Sequence, residues 1–241
     1  MLRNMIGRVA GRVGFEMIAK WRVPNLSYTN RLLTLFEHFG ITSVIDIGAN
    51  AGQFRDQLRS EIGFDGPIYS FEPDPVLAAA LTRRARADSE WTVFPFALGA
   101  VAGTTTFNIM HNSVYNSFYA PNAKQLAHHV NGNAVAETKD VEVRTLDGMA
   151  KMFPDLAHTY LKVDTQGFDL EVLKGGQGVA RQVPALQTEV SLKRIYLNGP
   201  SMEDSIKSFS EYGFSIADMF LVSTDSQHRA VEFDCIMVRD N

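Results

Sequence analysis

Only one cysteine, Cys235, occurs among the 241 residues. That excludes an internal disulfide framework and a zinc site built from several thiolates. In the apolar run FDCIMV a lone thiol reads as a small buried hydrophobe. Charge of one sign is also scarce. The formal net charge is -4, so the strongly basic surface of a nucleic-acid binder is not expected. No stretch reaches the roughly 18 to 20 apolar residues that cross a bilayer, and the N-terminal residues lack the continuous apolar segment of a secretory signal. The expected compartment is the cytoplasm. Repeats, low-complexity tracts and long linkers are missing as well. With 45% hydrophobic and 21% charged residues, the chain reads as one domain over residues 23–241 behind an N-terminal extension, residues 1–22.

The extension carries Arg3, Arg8, Arg12, Lys20 and Arg22 against Glu16, a local net charge of +4. Leu2, Met5, Ile6, Val9, Val13 and Met17 recur at spacings of three and four, which predicts an amphipathic helix with a basic face. Gly7, Gly11 and Gly14 each weaken such a helix by about 1 kcal/mol relative to alanine. Three readings stay open: the apolar stripe packs on the domain or on a second copy, it lies peripherally on the inner face of the membrane, or the segment is a flexible leader.

What the chain does have is SVIDIGANAGQF, Ser43 to Phe54. Val44, Ile45 and Ile47 predict a buried strand. Gly48 and Gly52 then relax the backbone for a turn that can approach a ligand and open a helix, whose free N–H groups favour an anionic or electron-rich partner. Around it the pattern alternates. Helices are predicted over Asn30–Phe39, Gln53–Ile62 and residues 75–87, and strands over Ser43–Ile47, the run ending at Glu72, and residues 91–98. Such alternation predicts an α/β fold with a mostly parallel sheet and helices on both faces. Ligands bind such sheets beyond the strand carboxyl ends where strand order reverses, which would gather Gly48–Gly52, Glu72 and Ala97 around one crevice.

Residues 104–146 break the alternation. TTTFNIM and VEVRTL read as strands flanking the polar loop HNSVYNSFYAPNAKQ, with a short helix over Ala123–Val130, and together they form an insertion over the crevice. The pattern resumes with TYLKVD, a helix over Asp169–Lys174 and the strand PALQTEV. A helix over Met202–Tyr212 and strands near Phe214–Ala217 and Val231–Val238 predict an antiparallel hairpin at the sheet edge.

Asp46, Gly48, Asn50 and Gly52 form D-x-G-x-N-x-G, and Glu72 follows Gly52 by 20 positions at the end of the next strand. A carboxylate there can accept both hydroxyls of a ribose. Asn50 and Gln53 occupy the second and third glycine positions of the dinucleotide motif G-x-G-x-x-G, which argues against a pyrophosphate and leaves an NAD(P)-binding oxidoreductase as the alternative. Asp46 suits S-adenosylmethionine, whose methionyl ammonium needs an acceptor beside the turn. The bland reading is a carboxylate that bonds turn amides.

VIDIGANAGQF, FEPDP, TLD and LKVDTQGFDLEVLKGG, with the late segment ALQTEVSLKRIYLNGPSMEDSIKSFSEYGF, resemble the FkbM family of S-adenosylmethionine-dependent methyltransferases from about Thr42 to Arg239. The resemblance implies a seven-stranded, Rossmann-like class I methyltransferase fold. It also implies methyl transfer to a hydroxyl of a sugar, glycan, glycolipid precursor or natural product, with a non-catalytic S-adenosylmethionine-binding module as a further alternative. It places Asp46, Gly48, Asn50 and Gly52 along the methionyl moiety, Glu72 on the ribose, and Pro73, Ala97 and Leu98 around the adenine. Ala49 and Phe54 complete that set. Family members often show D-x-E-G-x-E where this chain has Gln166 and Asp169, so the resemblance carries over no role that needs a carboxylate at 166.

An alcohol acceptor must also lose its proton. Asp164 and His111 are the candidate bases. Asp164 and Glu189, at neighbouring strand ends, could share a Mg²⁺; alternatively Glu189 pairs with Lys162 or Lys193, or orients the substrate. Asp169 and Asp147 each read as the cap of the helix that follows.

Overall fold

The computed structural model describes residues 26–122 and 134–240; the helix expected in residues 1–22 and the one expected over Ala123–Val130 lie outside the described residues. The chain opens with α1 (Leu26–Phe39), which buries Thr29, Leu32, Leu35 and Phe36 at helical spacing. Strand β1 (Ser43–Ile47) is buried at every position. After the glycine turn α2 (Gln53–Gln57) continues as a π-helical turn over Leu58–Ile62 and stops at Gly63, so the expected single helix changes pitch midway. Strand β2 (Ile68–Phe71) and α3 (Pro75–Ala85) follow; the Asp74 side chain caps α3 by accepting from the Val76 and Leu77 amides, with Pro75 in the first turn where a missing N–H costs nothing.

The strand expected over residues 91–98 divides into β3 (Trp91–Phe94) and β4 (Ala97–Leu98). Pro95 has no N–H to continue a ladder, and the chain changes sheets there. β4 runs parallel to β6 (Val135–Arg144), which pairs antiparallel with β5 (Gly103–Met110); these three form a second sheet in the order β4-β6-β5.

The remaining elements are β7 (Thr159–Val163), α4 (Asp169–Lys174), α5 (Gln177–Ala180), β8 (Ala185–Ser191), α6 (Met202–Glu211), β9 (Phe214–Thr224) and β10 (Ala230–Arg239). The main sheet has seven strands in the order β3-β2-β1-β7-β8-β10-β9. Its first five are parallel and β10 is antiparallel to both neighbours, so the expected edge hairpin is present, with β9 longer than the sequence pattern indicated. Apolar residues pack on both faces: Ile45, Ile47, Phe71, Leu161 and Val163 on one, and Val44, Ile68, Tyr160 and the buried residues of α1 on the other. Strand order reverses between β1 and β7, and a crevice opens beyond their carboxyl ends. Among the described residues no helix is long and apolar enough to cross a membrane.

Candidate active site

A cavity of about 990 Å³ runs along these strand ends. At one end it is lined by Phe71, Glu72, Pro73, Ala97 and Leu98, in the middle by Gly48, Ala49, Asn50 and Phe54 with Asp164, and at the far end by Tyr28, Gln187, Glu189 and Asp234. Eight of the ten expected cofactor residues therefore border one space. Asp46 and Gly52 do not line it.

The turn explains why. Gly48 has φ 85°, and a Cβ there would lie 1.8 Å from the Asp164 carbonyl oxygen. Its glycine requirement comes from the close approach of the β7 end rather than from a ligand. At Gly52 a Cβ would meet Leu81 and Arg84, so this glycine admits α3. Asn50, at φ 48°, donates its backbone N–H to Glu72 and its side-chain amide to the Ser113 carbonyl at 2.8 Å. That bond ties the turn to the chain segment between β5 and β6.

Asp46 has no exposure. It accepts from the Ser70 hydroxyl at 3.0 Å, its other oxygen lies 3.8 Å from Lys162 Nζ, and it bonds no turn amide. Sealed below the cavity, it is not placed to accept the methionyl ammonium. The register explains the pairing: Asp46 faces Ser70 across β1 and β2 and Lys162 across β1 and β7, and Lys162 in turn faces Gln187 across β7 and β8. One polar side chain per strand thus sits two residues beyond the buried apolar layer of Val44, Ile68, Tyr160 and Ala185. Burial raises the Asp46 carboxyl, while Lys162 and Ser70 pull it down. Burial lowers the Lys162 ammonium, but Asp164 and Asp46 outweigh it and the group is held above its ordinary value.

Glu72 is buried and accepts from the Asn50 amide at 2.7 Å and the Asp74 amide at 2.8 Å, one on each oxygen. Burial pushes it up to about 7 against those two donors. Each oxygen keeps capacity for a second donor, and the residue borders the cavity, so it fits a ribose.

Asp164 accepts from Lys162 at 2.9 Å and from the Gln166 amide at 3.2 Å. The same amide donates to Glu189 at 2.7 Å. Burial and then the charges of Glu232, Asp164 and Asp234 push Glu189 well above the ordinary carboxylate range. Lys162 and Lys193 are committed elsewhere, the latter to Asp225 at 2.5 Å, so neither pairs with Glu189 as expected. The expected Mg²⁺ does not fit this donor set: an amide NH₂ lies between the two carboxylates, an ammonium stands beside one of them, and the described residues contain no group of three or more His, Cys, Asp or Glu that could hold a metal.

Three further expectations are corrected. His111 is exposed at the end of β5 and does not line the cavity, so the structure does not bring it to Asp164. Asp169 does not cap α4; its carboxylate accepts from the Thr165 amide and hydroxyl and fixes the turn after Asp164, with burial lifting it to about 6. Asp147 reaches across to the Gly178 and Val179 amides, both at 2.9 Å, and so serves the start of α5 instead of the turn it begins. Cys235 is buried in β10, and burial lifts its thiol to about 12.

Sequence reasoning missed Tyr28, Lys162 and Gln187 as cavity residues. The Tyr28 hydroxyl donates to Gln187 at 2.7 Å, and Gln187 donates to Asp234 at 3.0 Å. The available signal was a polar residue set within each of several apolar runs: Asp in SVIDI, Ser in IYSF, Lys in TYLKV, Gln in ALQTEV.

The family model described as Methyltransferase FkbM domain matches residues 46–216. A solved methyltransferase FkbM from Methylobacillus flagellatus KT is 16% identical, with a TM-score of 0.53 over 82% of this chain and 43% of that one. The chain thus spans under half the length of that protein, and the likeness shows a Rossmann-like class I methyltransferase fold. A magnesium protoporphyrin IX methyltransferase from Synechocystis PCC 6803, solved with bound S-adenosylmethionine, is 13% identical over 94% of this chain and 87% of that one, with a TM-score of 0.47. No curated protein matches the chain.

Proposed function

The chain belongs to the FkbM methyltransferase family, whose model covers more than two thirds of it, and from that premise we propose that it is an S-adenosylmethionine-dependent O-methyltransferase. Its acceptor is a hydroxyl of a sugar, glycan, glycolipid precursor or natural product. The observation that carries this reading is the continuity of one cavity from Glu72, past Gly48 and Asp164, to Glu189. Cofactor and acceptor can share that space without a barrier between them.

S-adenosylmethionine supplies a methyl group already activated on a sulfonium, so the protein's task is alignment and proton removal. Alignment of two bound reactants accounts for roughly 7–11 kcal/mol of barrier reduction. Glu72 holds the ribose, Pro73, Ala97 and Leu98 border the adenine, and the backbone of Gly48–Asn50 and Asp164–Gln166 fixes the centre. A carboxylate at the crevice takes the proton that the acceptor hydroxyl gives up. Glu189, raised in its proton affinity and facing the cavity, is suited to that role.

Purified protein should be stabilised against heat by S-adenosylmethionine and S-adenosylhomocysteine, and Glu72→Ala should remove the effect. Labelled methyl groups should pass from the cofactor into an oxygen of a cell glycan or small-molecule fraction. Stabilisation by NAD with no response to either sulfur ligand overturns the reading, and label found only on nitrogen or carbon overturns its oxygen specificity.

A further inference from the structure

What joins Asp164 to Glu189 is a side chain whose every end is fixed. Two carboxylates on one side of Gln166 require its NH₂ group there, and on the other side the Tyr196 hydroxyl lies 2.8 Å from the amide oxygen. The Gln166 carbonyl accepts from the Ser117 hydroxyl at 2.8 Å. The backbone sits at φ 54°, the left-handed region that a non-glycine residue keeps only where its surroundings over-determine it. Ser117, between β5 and β6, and Tyr196, after β8, therefore hold Gln166 against the crevice from two sides.

We propose that Gln166 is a positioning residue that does with an amide what a divalent cation would do here: it holds Asp164 and Glu189 together, so that the pair operates without a metal. Convergent carboxylates repel and need a positive partner. A hard cation would provide one, but it takes oxygen ligands and keeps several waters. The two N–H groups of one amide supply a weaker, directed attraction to both carboxylates, and an amide nitrogen is no ligand for such an ion. Lys162 provides the countercharge from beneath Asp164. A carboxylate at position 166 would replace the donor with a third oxygen acceptor, and Asp164, residue 166 and Glu189 would then form a hard-cation set.

The inference rests on the methyl-transfer reading only for what the pair serves, so S-adenosylhomocysteine binding is measured beside it. The probe is Mn²⁺, titrated into the full chain as wild type, Glu189→Gln, Gln166→Glu and Gln166→Glu/Glu189→Gln, and followed by the paramagnetic signal of the free ion. Wild type should show no saturable binding at up to about 1 mM, the weak end of protein sites for hard cations. Gln166→Glu should bind one Mn²⁺ at least tenfold more tightly than wild type, and the double variant should lose it. Two results overturn the proposal: a saturable site in wild type that Glu189→Gln removes, or a folded Gln166→Glu that binds S-adenosylhomocysteine but no Mn²⁺. Should Gln166→Glu not fold, the comparison of wild type with Glu189→Gln decides alone. Wild type that fails to bind S-adenosylhomocysteine unseats the methyl-transfer reading while the Mn²⁺ result stands.

Discussion

The backbone N–H of Asn50 donates to the Glu72 carboxylate at 2.7 Å, so the turn after β1 is joined to the end of β2 through the very group proposed to hold the ribose. Burial lifts that carboxyl to about 7. Between the ordinary carboxylate range and about 7, the folded protein keeps a proton that the unfolded chain has released. The Glu72 contribution to stability is therefore full at low pH and falls as pH rises through that window. Cofactor binding runs the other way, because ribose hydroxyls donate to the ionised form. Affinity for S-adenosylhomocysteine should climb from about pH 6 to about pH 8. Glu72→Gln should flatten that dependence and weaken binding about 10- to 100-fold, the loss of one charge-assisted hydrogen bond of roughly 1.5–3 kcal/mol. Calorimetry across pH reads both, and a flat wild-type profile counts against the assignment.

Lys162 holds Asp46 in a wholly buried place. Removing the cation leaves an uncompensated charge, and Lys162→Met should cost about 3–5 kcal/mol in urea unfolding. Adding Asp46→Asn should recover part of that cost, because the charge is then gone as well. A double variant no more stable than Lys162→Met would show that the pair is not coupled.

Much of the fold was legible because its strands alternate with helices and carry clear stops. Pro75 and Asp74 mark the start of α3, and the run SVIDI marks the central strand. The division of residues 91–98 between two sheets was not legible, since both halves are apolar and only Pro95 hints at a break. The site divided in the same way. Glu72 could be found because strand ends face the crevice, whereas Asp46 was misplaced because the next-strand Lys162 that claims it is 116 positions away. Asp147 and Asp169 were misread for a related reason: a carboxylate before a helix looks like a cap whether or not a more distant amide, or one earlier in the same turn, takes it first.

Gly48 and Gly63 separate two reasons for glycine. Both have positive φ, 85° and 75°, but a Cβ at Gly63 would meet nothing within 4 Å, whereas one at Gly48 would strike the Asp164 carbonyl. Gly63→Ala should cost only the backbone term of about 1–2 kcal/mol. Gly48→Ala adds a backbone clash, so its cost should exceed that of Gly63→Ala by at least about 2 kcal/mol. Equal losses in denaturant unfolding would show that the β7 end yields easily.

Asp147 and Gly178 supply a test in which the effect of one substitution depends on its background. Asp147 is exposed, so Asp147→Ala strands no buried charge and should cost about 1 kcal/mol through the lost bonds to Gly178 and Val179. A Cβ at Gly178 would lie 3.1 Å from the Asp147 carboxylate. In the wild-type background, Gly178→Ala should therefore be close to neutral, its gain in helix propensity offset by crowding of the cap. With Asp147→Ala already in place the crowding is gone, and the same substitution should stabilise the protein by up to about 1 kcal/mol. A thermal-unfolding cycle over the four proteins measures the coupling, and strictly additive values would show that Asp147 does not act on the start of α5.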